Sequence, residues 1–281
     1  MPDPSARRTV RDAVAVLVPD LTNPFYGVLT RGLADAVGGD GYGTYVCDTG
    51  GDPDREDAHL ADIVARGMAG VVMAAGEVSA PVRVGAAGLG VPAVRVGGTR
   101  DDDPKVDRVT PEDGVGSYAA VHHLIELGAR RIGMIQGPVA AGTARDEGYR
   151  RAMEDSGLPV LPRLVVRGDW TRAGGRTAMH ALASGEVPPQ AVFCANDLTA
   201  IGAMDALRDL DLSVPGDVAV IGFDDLDAAT IIRPALTTVR NPAYALGHTA
   251  GGLLLSRIRG EHDGEGRTVV LPCPLIVRES A

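Results

Sequence analysis

Polar side chains that could bind a small molecule follow short apolar runs of this sequence. Asp224 comes directly after Val218–Phe223, and Asn196 closely follows Ala191–Cys194. A carboxylate can accept hydrogen bonds from two hydroxyls, and an amide can donate and accept together, so both residue types suit a polyhydroxylated ligand. Each has a structural alternative, because Asp224 could cap the following turn and Asn196 could cap a helix, a role for which Asp197 is favoured.

Two larger side chains add to this set. Arg145 begins a predicted helix, where the positive end of the helix dipole disfavours a cation. The position makes sense if its guanidinium binds a ligand or Asp224. Trp170 is the only tryptophan and lies in a predicted turn, where its ring could cover a sugar or base, or pack against its own domain. Asp113 and Asp48 are weaker candidates, since either could be an N-cap.

Catalytic motifs are absent from the sequence. It contains no GxSxG elbow, no phosphate loop, no HExxH and no GxGxxG between a strand and a helix. The six histidines are scattered, and the three cysteines (Cys47, Cys194 and Cys273) are too far apart to suggest zinc ligands or a disulfide framework. The sequence therefore predicts a binding protein without metal or cofactor, rather than an enzyme.

Charge and hydropathy limit the partners of the chain. Its 281 residues carry a formal net charge of −10, which argues against nucleic-acid binding by this part of the protein. The N-terminal residues contain no apolar signal segment, and no apolar run approaches a membrane span. We therefore expect a cytoplasmic protein without a membrane partner.

Short apolar runs alternate with helical patterns along the whole chain, which predicts an α/β fold. The run from Ala191 to Asp225 illustrates the unit, because two buried strands joined through a helix make a parallel βαβ element. A helix near Ser79–Ala87 and an acidic loop at Thr99–Lys105 are predicted between such units. The alternation occurs twice, so we expect two doubly wound parallel-sheet lobes with a boundary near Ala129.

The predicted division is a flexible leader at 1–12, an N-terminal lobe at 13–129 plus 240–267, and a C-terminal lobe at 130–239 plus 268–281. The carboxyl ends of parallel strands meet at one edge of each sheet, and ligands bind there in open α/β folds. The polar residues named above follow such ends, so the same pattern that predicts the fold predicts the site.

Several stretches resemble the lactose-repressor (LacI) family of transcription regulators. They are FCANDLTAIGAMDALRDL with VPGDVAVIGFDD, VPDLTNPFY, HHLIELGARRIGMIQGP, PALTTVRNPAYALG and VLPCPLIVRES, in the order and spacing of that family. The resemblance extends from about Ala13 to the C-terminus. The loop Gly137–Arg145 is shorter than is common in the family.

The resemblance implies two lobes, three crossovers and a cleft between the lobes. Effector contacts in the family come from the positions of Phe25, Tyr26, Arg145, Trp170, Asn196 and Asp224, and in some members from those of Asp113 and Asn241. Of Phe25 and Tyr26, one is expected to face the cleft and the other the core. A homodimer is implied, as is operator DNA bound through an N-terminal helix-turn-helix domain that this chain lacks; Ser5–Arg11 resembles the end of the hinge that follows such a domain.

The sequence thus predicts the effector-sensing and dimerisation core of a LacI-type regulator that binds a small polyhydroxylated ligand. A sugar fits the candidate residues, and a nucleoside could also stack on Trp170. The alternative is an extracytoplasmic sugar-binding protein of a transport system, which has the same fold and cleft.

Overall fold

The computed structural model describes residues 12–74, 90–98, 105–138 and 143–281. The predicted helix near Ser79–Ala87, the leader up to residue 11 and nearly all of the acidic loop Thr99–Lys105 lie outside the described residues. Contacts divide the chain into two compact units, one formed by Met1–Pro111 with Ala243–Leu271 and the other by Glu112–Pro242 with Pro272–Ala281. Within the described ranges, no helix is both long and apolar enough to cross a membrane.

The first unit is a parallel sheet with helices on its faces. Its elements in chain order are β1 (Ala13–Val18), α1 (Pro24–Gly38), β2 (Gly43–Asp48), α2 (Pro53–Arg66), β3 (Gly70–Ala74), β4 (Ala93–Val96) and β5 (Asp107–Pro111), to which a later segment adds a helix at Ala243–Ile258 and a strand at Thr268–Leu271. The strands lie in the order Thr268–Leu271, β5, β4, β3, β1, β2. All six residues of β1 are buried, as expected for a central strand covered on both sides.

The second unit repeats this plan. Its elements are α3 (Asp113–Glu126), β6 (Ile132–Gln136), α4 (Ala144–Asp155), β7 (Val165–Arg167), α5 (Arg172–Ala183), β8 (Ala191–Cys194), α6 (Asp197–Asp209), β9 (Ala219–Phe223), α7 (Ala228–Ile231), β10 (Thr237–Val239) and β12 (Leu275–Ile276). In chain order, the helix Ala243–Ile258 of the first unit is α8, and its strand Thr268–Leu271 is β11. The strands lie in the order β12, β10, β9, β8, β6, β7. They are parallel except for β12, which is antiparallel to β10.

Two glycines let helices α1 and α8 approach closely in the first unit. A Cβ on Gly247 would lie 1.9 Å from the carbonyl oxygen of Leu29, and one on Gly32 would lie 2.1 Å from that of Tyr244. Both obstacles are backbone atoms, which cannot move aside as a flexible side chain could. Contact at this distance therefore depends on the absence of a side chain at both positions.

We expect Gly247→Ala to lower the free energy of unfolding by about 1–3 kcal/mol, because the helices must separate to admit a methyl group. Gly252 lies on the same helix with nothing within 4 Å of its Cβ position. Gly252→Ala should therefore stabilise the chain by about 0.5–1 kcal/mol through helix propensity. Urea unfolding of both variants measures the difference, and equal effects of the two substitutions would contradict the close approach.

The α/β fold agrees with the sequence prediction, but the units divide at other positions. The predicted boundary near Ala129 placed the helix α3 in the N-terminal lobe, whereas the structure divides at Pro111 and Glu112. A Cβ on Gly116 of α3 would lie 2.6 Å from Cγ1 of Val239, which shows how tightly this helix packs on the second unit. The predicted division places all of 268–281 in the C-terminal lobe, whereas the structure shows two strands there: β11 pairs with β5 in the first unit and β12 with β10 in the second.

Candidate functional site

A group of predicted residues lies at the carboxyl edge of the second sheet. In this sheet β6 has β7 on one side and β8 on the other, so the connections leave β6 and β7 in opposite directions. This is the switch point at which open α/β sheets bind ligands. Six predicted residues belong to this unit: Asp113, Arg145, Trp170, Asn196, Asp224 and Asn241.

Arg145 is at the centre of the group. Its guanidinium carbon lies 3.8 Å from the ring centroid of Phe223 and 5.6 Å from that of Trp170. Its Nε donates to Oδ2 of Asp113 at 3.0 Å, and Nη1 donates to the carbonyl oxygen of Ala195. Ring faces and oxygen acceptors both stabilise the guanidinium cation. These contacts offset the unfavourable interaction of the cation with the positive end of the dipole of helix α4, in whose first turn Arg145 lies.

The contacts of Arg145 extend into a row of four side chains: Asp113, Arg145, Asp224 and Asn241. Nη2 of Arg145 lies 3.7 Å from Oδ1 of Asp224, and the same oxygen accepts from Nδ2 of Asn241 at 3.2 Å. Asp224 is only 8% exposed and Asn241 only 5%. The row places two carboxylates and one guanidinium side by side in a nearly dry environment.

Each end of this row carries a buried oxygen without a hydrogen-bond donor among the described residues: Oδ1 of Asp113 and Oδ1 of Asn241. A buried acceptor without a donor costs about 1–3 kcal/mol. Since both atoms are acceptors, a molecule that presents hydrogen-bond donors would relieve the cost at both ends.

Trp170 lies over the end of strand β6. A Cβ on Gly137 would fall 2.2 Å from Cζ2 of the indole, so the ring needs a glycine beneath it. The carbonyl oxygen of Trp170 accepts from Nδ2 of Asn196 at 3.0 Å. The indole is therefore anchored through its backbone, close to Arg145, and is half-buried.

Asn196 is the N-cap of helix α6, because its Oδ1 accepts from the backbone N–H of Thr199 at 2.9 Å. Asp197 was favoured for that role, and this prediction is wrong: Asp197 is the first helical residue and its carboxylate points into the protein. An amide nitrogen carries two hydrogens, so Nδ2 of Asn196 has a second one to donate.

Three residues of the site adopt left-handed backbone conformations. The φ angles are 67° for Trp170, 114° for Asp224 and 55° for Asp225. Such conformations cost about 1–3 kcal/mol each in residues other than glycine, and they cluster at ligand-binding sites. Asp225 also forms ion pairs with Arg240 and Arg278, which anchor the turn.

The other predicted residues lie in the first unit. Phe25 and Tyr26 begin helix α1, which Asn23 caps by accepting from the N–H of Phe25 at 3.0 Å. Their rings meet edge to face with centroids 5.2 Å apart, and both pack partly against the core of the first unit. The contacts of the two rings therefore do not distinguish a ring that faces the core from a ring that faces the ligand.

Neither metal ligands nor a reactive thiol were found near the row. Across the described ranges, no group of three His, Cys, Asp or Glu side chains is close enough to hold a metal ion. Cys273 lies beside α3, and burial, followed by the negative charge of Asp113, raises the pKa of its thiol to about 12. A thiol with that pKa stays protonated and is a poor nucleophile.

Sequence reasoning missed three contributors to the site. Phe223 supplies the ring beneath Arg145, Gly137 makes room for the indole, and Thr238 bonds to the turn after β9. Phe223 was assigned only to a strand. Its position directly before Asp224, at the end of that strand, was a signal that could have identified it.

Comparison with known proteins shows the family to which this chain belongs. Residues 121–281 match the family model described as a periplasmic binding protein-like domain. The repressor CytR of Escherichia coli K12 is 30% identical over 285 residues, covering 100% of this chain and 83% of the relative. The ribose operon repressor of the same strain is 36% identical over 248 residues, covering 87% of this chain and 75% of the relative.

Solved structures with a similar fold are also transcription regulators. A transcriptional regulator CelR–cellobiose complex has a TM-score of 0.88 and 31% identity, and the match covers 96% of this chain and 84% of that one. A LacI family regulator from Enterococcus faecium with bound ribose has a TM-score of 0.83 and 28% identity, covering 96% and 98%. The fold and the polar edge define a small-molecule-binding protein of the periplasmic-binding-protein type. This chain belongs to the LacI family of transcription regulators.

Proposed function

We propose that this chain is the effector-sensing core of a LacI-type repressor and that its effector is a small, uncharged polyhydroxylated molecule. The two partnerless acceptor oxygens, on Asp113 and Asn241, carry the proposal. Hydroxyl groups are the donors that most simply satisfy such oxygens, and a sugar presents several of them on one rigid ring. Cellobiose and ribose, bound in the two solved relatives named above, have the same chemistry.

The charges of the row favour an uncharged effector over an anionic one. The three nitrogens of the Arg145 guanidinium already contact protein oxygens, namely those of Asp113, Ala195 and Asp224. A phosphate brought to this edge would meet two carboxylates before it met a guanidinium free to bind it. Like charges in a nearly dry site repel strongly, so phosphorylated sugars should bind poorly.

We assign the contacts as follows. Asp113 and Asp224 accept hydrogen bonds from hydroxyls through their carboxylate oxygens, and Asn241 accepts through Oδ1. Asn196 donates through its second amide hydrogen, and the indole of Trp170 covers the apolar face of the ring. Arg145 holds the carboxylates of Asp113 and Asp224 in place, and its positive charge stabilises both of them. Phe25 and Tyr26 remain predicted contributors from the first unit.

Titration calorimetry tests the chemistry of the effector. Ribose, cellobiose, ribose 5-phosphate and two nucleosides, adenosine and cytidine, are titrated into the protein under identical buffer conditions. We expect saturable heat from a neutral compound, and binding of ribose 5-phosphate at least about tenfold weaker than that of ribose, equivalent to about 1.4 kcal/mol. Tighter binding of the phosphate would contradict the proposal.

Homodimer formation and control of operator DNA by the effector belong to the same proposal. Tyr45 and Val46 on the edge strand β2 are 50% and 41% exposed, an apolar edge typical of an association surface. A ligand changes DNA affinity only if it binds two arrangements of the protein unequally. Sedimentation equilibrium should give the mass of two chains, and a single-chain mass at micromolar concentration would contradict the dimer.

A further inference from the structure

Asp197 is a buried carboxylate with no role yet assigned to it. Its side chain is fully buried, and helix α6 does not need it as a cap because Asn196 fills that position. Burial raises the pKa of Asp197 well above its ordinary value, and the negative charge of Asp224 raises it further.

One oxygen of Asp197 is bonded to the turn that carries Asp224, and the other is bonded to Thr238 on the neighbouring strand β10. Oδ2 accepts from the backbone N–H of Leu226 at 2.7 Å, and Oδ1 accepts from the hydroxyl of Thr238 at 2.5 Å. Thr238 in turn accepts from the backbone N–H of Asp225 at 3.4 Å. Asp197 and Thr238 therefore hold two consecutive amides of the turn that follows strand β9.

The turn needs such anchors because of its backbone conformation. Asp224 and Asp225 both have positive φ, at 114° and 55°. Strand β9, which leads into the turn, leaves space for the anchor, since a Cβ on Gly222 would lie 2.3 Å from Oδ1 of Asp197. A strained turn persists only when its surroundings fix it. Here a carboxylate and a hydroxyl behind the site fix its backbone, in addition to the ion pairs that hold the side chain of Asp225.

We propose that Asp197 and Thr238 are positioning residues that set the orientation of Asp224 toward the effector. The inference rests on the function proposed above. An acceptor already held in its binding orientation loses less conformational freedom when the ligand arrives, so the affinity depends on the anchors although neither touches the ligand. Asp197 and Thr238 act through the turn, and Asp224 makes the contact.

Three substitutions separate this role from a general contribution to stability. Thr238→Val keeps the side-chain shape and removes the hydroxyl, and Asp197→Leu removes both acceptors. Asp197→Asn keeps an oxygen for the N–H of Leu226 and turns its amide hydrogens toward the hydroxyl of Thr238. With ribose and cellobiose as probes, we expect Thr238→Val and Asp197→Leu to weaken binding about tenfold or more, and Asp197→Asn to restore most of the affinity.

Tyr149→Phe provides the matched control. Tyr149 is buried in the same unit, and its hydroxyl donates to the carbonyl oxygen of Ile132 at 2.9 Å, a hydrogen bond that involves neither the turn nor its anchors. The variant should lower the melting temperature while leaving the affinity unchanged. If affinity followed melting temperature across all four variants, or if Thr238→Val bound the probes like the parent, the positioning role would be refuted.

Hydrogen exchange at the amide of Leu226 gives a readout that needs no ligand. We expect faster exchange there in Thr238→Val and Asp197→Leu, and parental exchange in Asp197→Asn and Tyr149→Phe. Unchanged exchange in Asp197→Leu would show that Asp197 does not hold the turn. If the parent bound neither sugar while the exchange pattern appeared as expected, the proposed effector class would fail and the anchoring of the turn would stand.

Discussion

Asp107→Ala should lower the free energy of unfolding by about 3–5 kcal/mol. Asp107 is fully buried on strand β5 and binds two arginines from the returning segment of the first unit, Arg257 at 2.8 Å and Arg267 at 2.7 Å. Its Oδ1 also accepts from the backbone N–H of Arg267. Removal of the carboxylate leaves Arg257, which is 10% exposed, as a nearly buried cation that has lost its carboxylate partner.

Urea unfolding measures this effect, and Asp40→Ala is the matched control. Asp40 pairs with Arg259 in the same unit, but the two side chains are 34% and 44% exposed. Solvent screens such a pair, so its loss should cost less than about 1 kcal/mol. Equal losses from the two substitutions would show that burial does not strengthen the Asp107 cluster.

The cluster also predicts how stability depends on pH. Burial by itself raises the pKa of Asp107, but the hydrogen bonds from Arg257 and Arg267 outweigh burial and hold the pKa well below its ordinary value of 3.8. The carboxylate therefore stabilises the fold fully above that value and loses its contribution as the pH falls below it. The difference in stability between the parent and Asp107→Asn should be constant near neutral pH and shrink in acid.

Asp224→Asn should weaken effector binding by about 10- to 100-fold, because a charged acceptor contributes about 1.5–3 kcal/mol per hydrogen bond. Asparagine suits this test, since it is nearly the same size and tolerates the positive φ at this position, which alanine does not. Arg145 keeps its bond to Asp113 in the variant. We therefore expect a large loss of affinity with little change in melting temperature.

Asp217→Asn controls for the loss of one negative charge from the same unit. Asp217 precedes strand β9, at the opposite end from Asp224, and accepts from the N–H and hydroxyl of Ser213. Its substitution should leave the affinity unchanged. Calorimetry on both variants decides the assignment, and parental affinity in Asp224→Asn would remove Asp224 from the site.

Much of the fold could be predicted because buried parallel strands are short and continuously apolar. The run Ala191–Cys194 is predicted as a buried strand and is one, and a helix follows it as the βαβ pattern predicts. Polar residues after these strands indicate a candidate site for the same reason, since parallel strands end at one edge. Asn196 and Asp224 were both proposed for that site from their positions after a strand.

Other features leave no pattern in a single sequence. The residue pattern of helix α3 does not assign it to either sheet, and its close packing at Gly116 shows that it belongs to the second unit. Positive φ angles are expected mainly at glycine, so the residue types at Trp170 and Asp224 did not predict the positive φ angles found there. The anchoring role of Asp197 depends on Leu226 and Thr238, which are 29 and 41 residues away along the chain.

Fluorescence of Trp170 during a sugar titration tests the central claim most directly, because the chain has one tryptophan and its ring belongs to the proposed site. We predict a saturable change in its emission with a neutral sugar, at the concentrations that give saturable heat, and a shift of that titration to about 10- to 100-fold higher concentration in Asp224→Asn. Saturable heat with unchanged tryptophan emission and parental binding by Asp224→Asn would place the effector elsewhere and contradict the account.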